Sequence, residues 1–431
     1  MTHPRIRVWK DAVNAVKRFR QEGTPYMFKT THLLLIALFS MGLIQPLLAQ
    51  TRSIPADHQV ILKIDAESSN TLNRELSQSM GAWRARPDDV VLATTAARHA
   101  FVAALDQGDA RWLGNAQAVL ARWWKQADVV PAETLFVRGL VRQGLHDFAG
   151  AQVDIARAIE KDPQQPEYWS WHLAIDMVQA RLQQAQKTCD QIGERFGEIE
   201  QQSCQAVLHY RTGHPQRAIA LFNRLARHPD QQGPRAKEWI AFHLGEAYRV
   251  AGDRQRAVRV WLSHMQEANQ QPHAMLVSAV ELLNDLGRHE EAFTLNRRKA
   301  RSDALLVQAI RTAQALQRPE ADALVDEFKR RLAYQQQRGD LLNERPVIAF
   351  QLDVYDQPDQ ALALAESAWA TQREPADAVL FARAAVRVKS GSAAKTLLAW
   401  RAETGYREPQ LERLFTDLQA ISDSANMRPR K

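Results

Sequence analysis

The sequence lacks the short motifs that announce chemistry. It has no Gly-x-x-x-x-Gly-Lys phosphate loop, no Gly-x-Ser-x-Gly elbow and no His-Glu-x-x-His zinc pair, which removes the ready signatures of nucleotide hydrolysis, acyl transfer and zinc proteolysis. His289-Glu290-Glu291 begins like a metalloprotease motif, but no second His follows on that face; it reads as a solvated turn. His209 and His214 flank a turn at Gly213 and read the same way. No catalytic, cofactor-binding or metal-ligating residue is assigned. Cysteine occurs only at 189 and 204, a pair that suits an oxidising compartment only if the two thiols are joined. After Gln50 there is no low-complexity linker and no shift of composition, and the 18 Gly and 18 Pro are spread along the chain as punctuation.

Long apolar runs are equally scarce. Leu33 to Ile44 is a run of twelve, broken by Gln45-Pro46 and ending Leu47-Leu48-Ala49. A spanning helix needs about 20 apolar residues, whereas an export signal needs roughly 7–15 followed by small residues. The expectation is a signal over residues 27–49 cleaved after Ala49, placing the mature chain in the periplasm or beyond. The alternative is an uncleaved inner-membrane anchor, Leu33 to Leu48, with the chain facing the periplasm. No Cys follows the run, so no lipid-modified terminus is expected. Residues 1–26 carry Arg5, Arg7, Lys10, Lys17, Arg18 and Arg20 with Ile6, Trp9, Val13 and Val16 at helical spacing. They read either as a leader upstream of a true start at Met27 or as a basic segment lying on anionic lipid. The first 49 residues hold seven Lys/Arg against Asp11 and Glu22, so of the formal +7 only +2 belongs to the rest. The cluster Arg297-Arg298-Lys299-Ala300-Arg301 reads as a solvated helix end, and no nucleic-acid partner is expected.

What the sequence does have is self-similarity. Leu244 to Trp261 reads as two amphipathic helices folded about Gly252-Asp253, with Leu244, Ala247, Tyr248 and Ala251 before the turn and Ala257, Val258 and Trp261 after it. Taking Ala257 as an anchor, equivalents lie at Ala116, Ala151, Ala185, Ala218, Ala292, Ala361 and Ala394, with a weaker one at Ala323. From Ala116 to Ala292 the steps are 35, 34, 33, 39 and 35, and from Ala361 to Ala394 the step is 33. Nine helix pairs of about 34 residues would fill roughly 300 residues and leave no room for an appended enzyme. The expected division is an N-terminal segment over 50–87, a repeat array over 88–420 and a polar tail over 421–431.

These residues resemble the tetratricopeptide repeat, a helix pair of 34 residues with small residues where the helices cross. In the unit from Ala132, Gly139, Ala151, Ile155, Ala158 and Pro163 take the family's places. In the unit from Glu238 they are Gly245, Tyr248, Ala257 and Trp261, and near the C-terminus Ala349, Ala361, Ala368 and Pro375. Only Gly or Ala lets two backbones approach closely. Leu173, His264 and the stretch Ala304 to Arg338 depart from the pattern. The resemblance implies an all-α, right-handed α-solenoid. It puts Cys189 in the second helix of one unit and Cys204 in the first helix of the next, close enough for a disulfide. It also implies a concave groove lined by the first helix of each unit, pointing in Trp239, Phe242, Glu246 and Arg249, with Phe136, Gln143, Tyr210 and Asn284 from neighbouring units.

The function expected from this is a non-enzymatic exported scaffold that binds a protein or peptide partner in the bacterial envelope and uses no cofactor. The runner-up is a membrane-anchored assembly factor. A murein-cleaving superhelical enzyme is the third reading, with Glu67-Ser68 and Glu366-Ser367 as its only candidate catalytic pairs.

Overall fold

The computed structural model describes residues 71–126, 130–269, 271–297, 302–338 and 344–427, all within one compact unit, Pro55–Lys431. The signal and leader readings, and Glu67-Ser68, lie outside the described residues. Those described form twenty α-helices and no strand. Helix α1 (Thr71–Ala85) falls in the stretch where the sequence pattern says least, and packs on α2. Nine antiparallel hairpins follow. They are α2 (Val90–Gln107) with α3 (Arg111–Val119), α4 (Ala132–Gly144) with α5 (Phe148–Lys161), and α6 (Pro166–Val178) with α7 (Leu182–Phe196). Next come α8 (Glu198–Arg211) with α9 (Pro215–Leu225), α10 (Pro234–Val250) with α11 (Arg254–Glu267), and α12 (His273–Asp285) with α13 (His289–Asn296). The last three are α14 (Asp303–Ala315) with α15 (Ala321–Arg338), α16 (Glu344–Asp353) with α17 (Pro358–Trp369), and α18 (Pro375–Val388) with α19 (Gly391–Thr404). Helix α20 (Pro409–Met427) closes the unit and stays helical into 421–431, where composition suggests a frayed tail.

Local chemistry explains the hairpins. Ala116, Ala151, Ala185, Ala218, Ala257, Ala292, Ala361 and Ala394 are all fully buried, one in the second helix of each hairpin but the seventh. In that hairpin Ala323 is exposed, and α15 packs instead through Phe328, whose ring lies 4.4 Å from that of Phe350. This is the stretch that departs from the repeat pattern, and a bulky ring does there what a small residue does elsewhere. Each tip reverses through one residue in the left-handed region: Gly108, His146, Ala180, Gly213, Gly252, Gly287, Gln317, Asp356 and Lys389. Asp147, Asp253 and Ser390 then cap the second helices of their hairpins by accepting a backbone N–H. Pro375, which the repeat pattern suggests as a terminator, opens α18, where the missing N–H has no intrahelical role.

The first helices touch their successors (α2 with α4, α12 with α14, α14 with α16, α16 with α18), and no second-helix pair makes a comparable contact among the described residues. The array therefore curves with the first helices inside. The curvature is tight enough to bring distant hairpins together. At the first tip Gly108 meets His273 and Ser302, which begin the sixth and seventh hairpins. Further on, the Arg373 N–H donates to the Val178 carbonyl at 2.9 Å, and Arg211 pairs with Glu374 at 3.0 Å. At Gly213 a Cβ would lie 2.5 Å from the Gly405 carbonyl oxygen, so this tip has no room for a side chain. These early tips thus meet the start of an element five or six hairpins on, and the second superhelical turn seats on the first. One core joins residues from Ala206 to Val250 with residues from Ile348 to Leu418.

Candidate binding surface

The inner face is a chain of ion pairs laid over aromatic rings. On α2, Arg98 bridges Glu133 of α4 and Glu167 of α6. Tyr168 donates to the same Glu133 at 2.9 Å, and its ring lies 4.4 Å from that of Phe136. On α10, Arg249 pairs with Glu246 at 2.9 Å and with Glu408 from the loop before α20. Arg311 of α14 pairs with Asp285 at 2.8 Å and with Asp353 at 3.4 Å. Glu374 is held by Arg211 at 3.0 Å and Arg345 at 2.6 Å. Burial would raise its proton affinity, but the two guanidiniums more than reverse this and hold its pKa at about 2.

The residues the sequence points into the groove divide into two sets. Trp239, Phe242, Glu246 and Arg249 do share α10, and all four are half-buried. Phe136 and Tyr210 are buried, as is Asn284, so they offer no surface to a ligand. Asn284 donates to Gln308 Oε1 at 3.1 Å and accepts from Thr312 at 2.8 Å, a knot between the sixth and seventh hairpins. Gln143 is half-buried near the second tip, in a hairpin whose core is separate from that of α10. The tight winding explains the difference, because it converts part of a groove wall into interior.

Three inner-face residues escape sequence reading. His243 lies between Trp239 and Phe242, with ring centroids 4.6 and 5.1 Å away, and its Nδ1 is 2.9 Å from the Tyr210 hydroxyl. Burial, then the nearby Arg211, lowers its pKa to about 3, so it is neutral. Glu408 comes from a segment remote in sequence. Glu281 of α12 occupies the position in its unit that Glu246 occupies in the previous one, which is the signal that could have found it. It is exposed, and alone among these inner carboxylates it has no ion pair among the described residues.

Cys189 and Cys204 form a disulfide between α7 and α8, with Cα atoms 5.8 Å apart. His209 and His214 stand with ring centroids 6.2 Å apart, and Glu291 is paired with Arg288 at 2.7 Å. Among the described residues no group of three His, Cys, Asp or Glu could hold a metal ion, and no helix is long and apolar enough to cross a membrane. Glu366 and Ser367 lie exposed on α17.

No family model matches the chain, and no curated protein matches it. Solved structures with similar folds include a tetratricopeptide repeat protein from Parabacteroides merdae ATCC 43184, at 14% identity over 67% of this chain and 98% of that one, with a TM-score of 0.30. A second is a Rap protein complexed with Competence and Sporulation Factor, at 13% identity over 81% of this chain and 94% of that one, TM-score 0.42. A third is Naa15/Naa10 bound to HypK-THB, at 12% identity over 82% of this chain and 56% of that one, TM-score 0.27. The tetratricopeptide-like character of the fold rests on the hairpins themselves.

Proposed function

We propose that this chain is a non-enzymatic exported scaffold that holds an extended segment of a protein or peptide partner against the inner face of its first helices, in the bacterial envelope. The observation that carries this reading is the trio Trp239, Phe242 and Glu281. The rings stay half-exposed on a face whose other charges are spent on one another. Aromatic rings supply contact area at low entropic cost, and an unpaired carboxylate on the first helix of the next hairpin accepts a basic side chain or a backbone N–H. Export is supported by the apolar run ending at Ala49 and by the Cys189–Cys204 bond, a linkage that persists outside the cytosol.

A photo-crosslinking residue at position 242 or 281 should capture one partner from envelope extract, and Glu281→Lys should reduce that capture about tenfold. The same residue at Val153, exposed on α5, should capture nothing comparable. Equal capture from all three positions would remove the groove reading. N-terminal sequencing of the mature chain tests export separately, since a start at Gln50 fits cleavage and an intact Leu33–Leu48 fits the anchor.

A further inference from the structure

Two successive second helices, α9 and α11, carry almost no acid. None of residues 201 to 229 is Asp or Glu, and α11 has only its last residue, Glu267. Arg217 and Arg224 stand two turns apart on one side of α9, and Arg227 follows just past its end. Arg259 lies midway along α11. All four are exposed, and none makes an ion pair among the described residues.

Other charges of the array are answered. On α7 the exposed Lys187 and Arg195 are balanced by Asp190 and Glu194, and on α17 the exposed Asp359 and Glu366 are both acidic. On α11 itself Arg256 is met by Asp253 at 3.4 Å. Inside the curve, Arg249 and Arg311 are each held by two carboxylates. The four outward arginines hold no such partner, and Arg217 sits in the first turn of α9, where the helix dipole disfavours a cation.

The large apolar side chains most open to solvent are Val91, Val102, Leu105 and Val153, on α2 and α5 and not on this face. A protein interface draws most of its energy from buried anchors, so α9 and α11 offer a protein partner little. What they offer is positive charge spread along about 15 Å of helix on the outside of the curve. That suits a surface charged everywhere.

We propose that the outward face of α9 and α11 rests on a membrane containing anionic phospholipid, with Arg217, Arg224, Arg227 and Arg259 among the headgroup phosphates. A guanidinium can give two N–H donors to one phosphate. Docked this way, the chain turns the inner side of the same hairpins, with Trp239 and Phe242, away from the lipid. The proposal does not depend on the groove reading, because none of the four arginines lies on a first helix.

Vesicle sedimentation of the full chain tests it, with phosphatidylcholine alone and with equal parts phosphatidylcholine and phosphatidylglycerol. Arg217→Gln/Arg224→Gln is the surface variant. Lys395→Gln/Arg413→Gln removes the same charge from exposed positions on α19 and α20. Residues 1–49 are common to all three proteins, so their own affinity for lipid cancels in the comparison, and circular dichroism checks that each variant is folded. The surface variant should bind the anionic vesicles about 25-fold more weakly than the parent, about fivefold for each arginine, while the control binds as the parent does. Salt at about 1 M should erase the difference. Polyglutamate and duplex DNA, as competitors, show whether an acidic protein or a nucleic acid is the better match. The proposal is overturned if the parent binds both vesicles alike, if the surface variant binds like the parent, if the control loses as much, or if either competitor binds this face more tightly than the anionic vesicles do.

Discussion

Arg249, at the end of the first helix of the fifth hairpin, is ion-paired to Glu408, a residue 159 positions further along the chain. Most solenoids are quasi-one-dimensional, with each repeat touching only its neighbours. Here one superhelical turn is tied to the next. The Glu408 side chain is 4% exposed and also accepts from the Tyr406 hydroxyl at 2.7 Å, whereas Arg249 keeps Glu246 as a second partner.

That asymmetry gives an ordered prediction. Arg249→Ala leaves Glu408 buried beside a neutral phenol and should cost about 3 kcal/mol. Glu408→Ala leaves the guanidinium with Glu246 and should cost less, about 1–2 kcal/mol. The double variant should fall short of the sum by about 1 kcal/mol or more. Urea midpoints of the four proteins measure all three quantities. Additive losses would mean that the pair does not hold the two turns together.

The crossing within the fifth hairpin is tighter still. A Cβ placed on Gly245 would lie 2.0 Å from Trp261 Nε1, and Trp261 is fully buried with that nitrogen donating to the Phe242 carbonyl at 3.1 Å. Gly245→Ala should therefore destabilise by about 1–3 kcal/mol through overpacking. Trp261→Phe in the same background should recover part of the loss, although alone it destabilises. If the double variant is no better than Gly245→Ala, the glycine is needed for something other than the indole.

The same residues show what was legible in the sequence and what was not. Gly245, Ala257 and Trp261 recur at local spacing because each hairpin must bury its own crossing, so the period and the all-α solenoid could be read directly. The tips were only partly legible. Gly108, Gly213, Gly252 and Gly287 mark four of them, but His146, Ala180, Gln317, Asp356 and Lys389 adopt the same left-handed backbone without being glycine, because packing on both sides fixes the reversal. Seating one turn on another leaves no local trace at all. Arg249 reads as a groove residue until Glu408 is beside it, and Asn284 until Gln308 and Thr312 surround it.

The Cys189–Cys204 bond links sequential helices with a separation of 15 residues. Closing a loop of that size stabilises by about 3 kcal/mol on the chain-entropy account. Reduction, or the Cys189→Ala/Cys204→Ala double variant, should lower the urea midpoint by a corresponding amount. An oxidised and a reduced sample with the same midpoint would show that the bond adds nothing to the folded state.

Stability should also depend on pH in a way traceable to His243. In the folded protein burial, then Arg211, holds its pKa at about 3 against an ordinary 6.5. Between those values the unfolded chain binds a proton that the native ring refuses. Its contribution is therefore complete above about pH 6.5 and is lost as pH falls toward 3, at up to about 1.4 kcal/mol per pH unit. Glu374, held at about 2 against 4.5, adds a loss of the same sign below pH 4.5. His146, His172, His209 and His273 are also lowered by burial and contribute in both parent and variant. His243→Gln keeps a polar group beside the Tyr210 hydroxyl but carries no titrating proton, so between pH 6.5 and 4.5 its stability should fall less steeply than the parent's by up to one proton's slope. Below pH 4.5 the carboxylate losses should be shared. Parallel curves across the whole range would mean that the native ring takes up its proton freely, and that the cluster of Trp239, Phe242 and Tyr210 does not shield it.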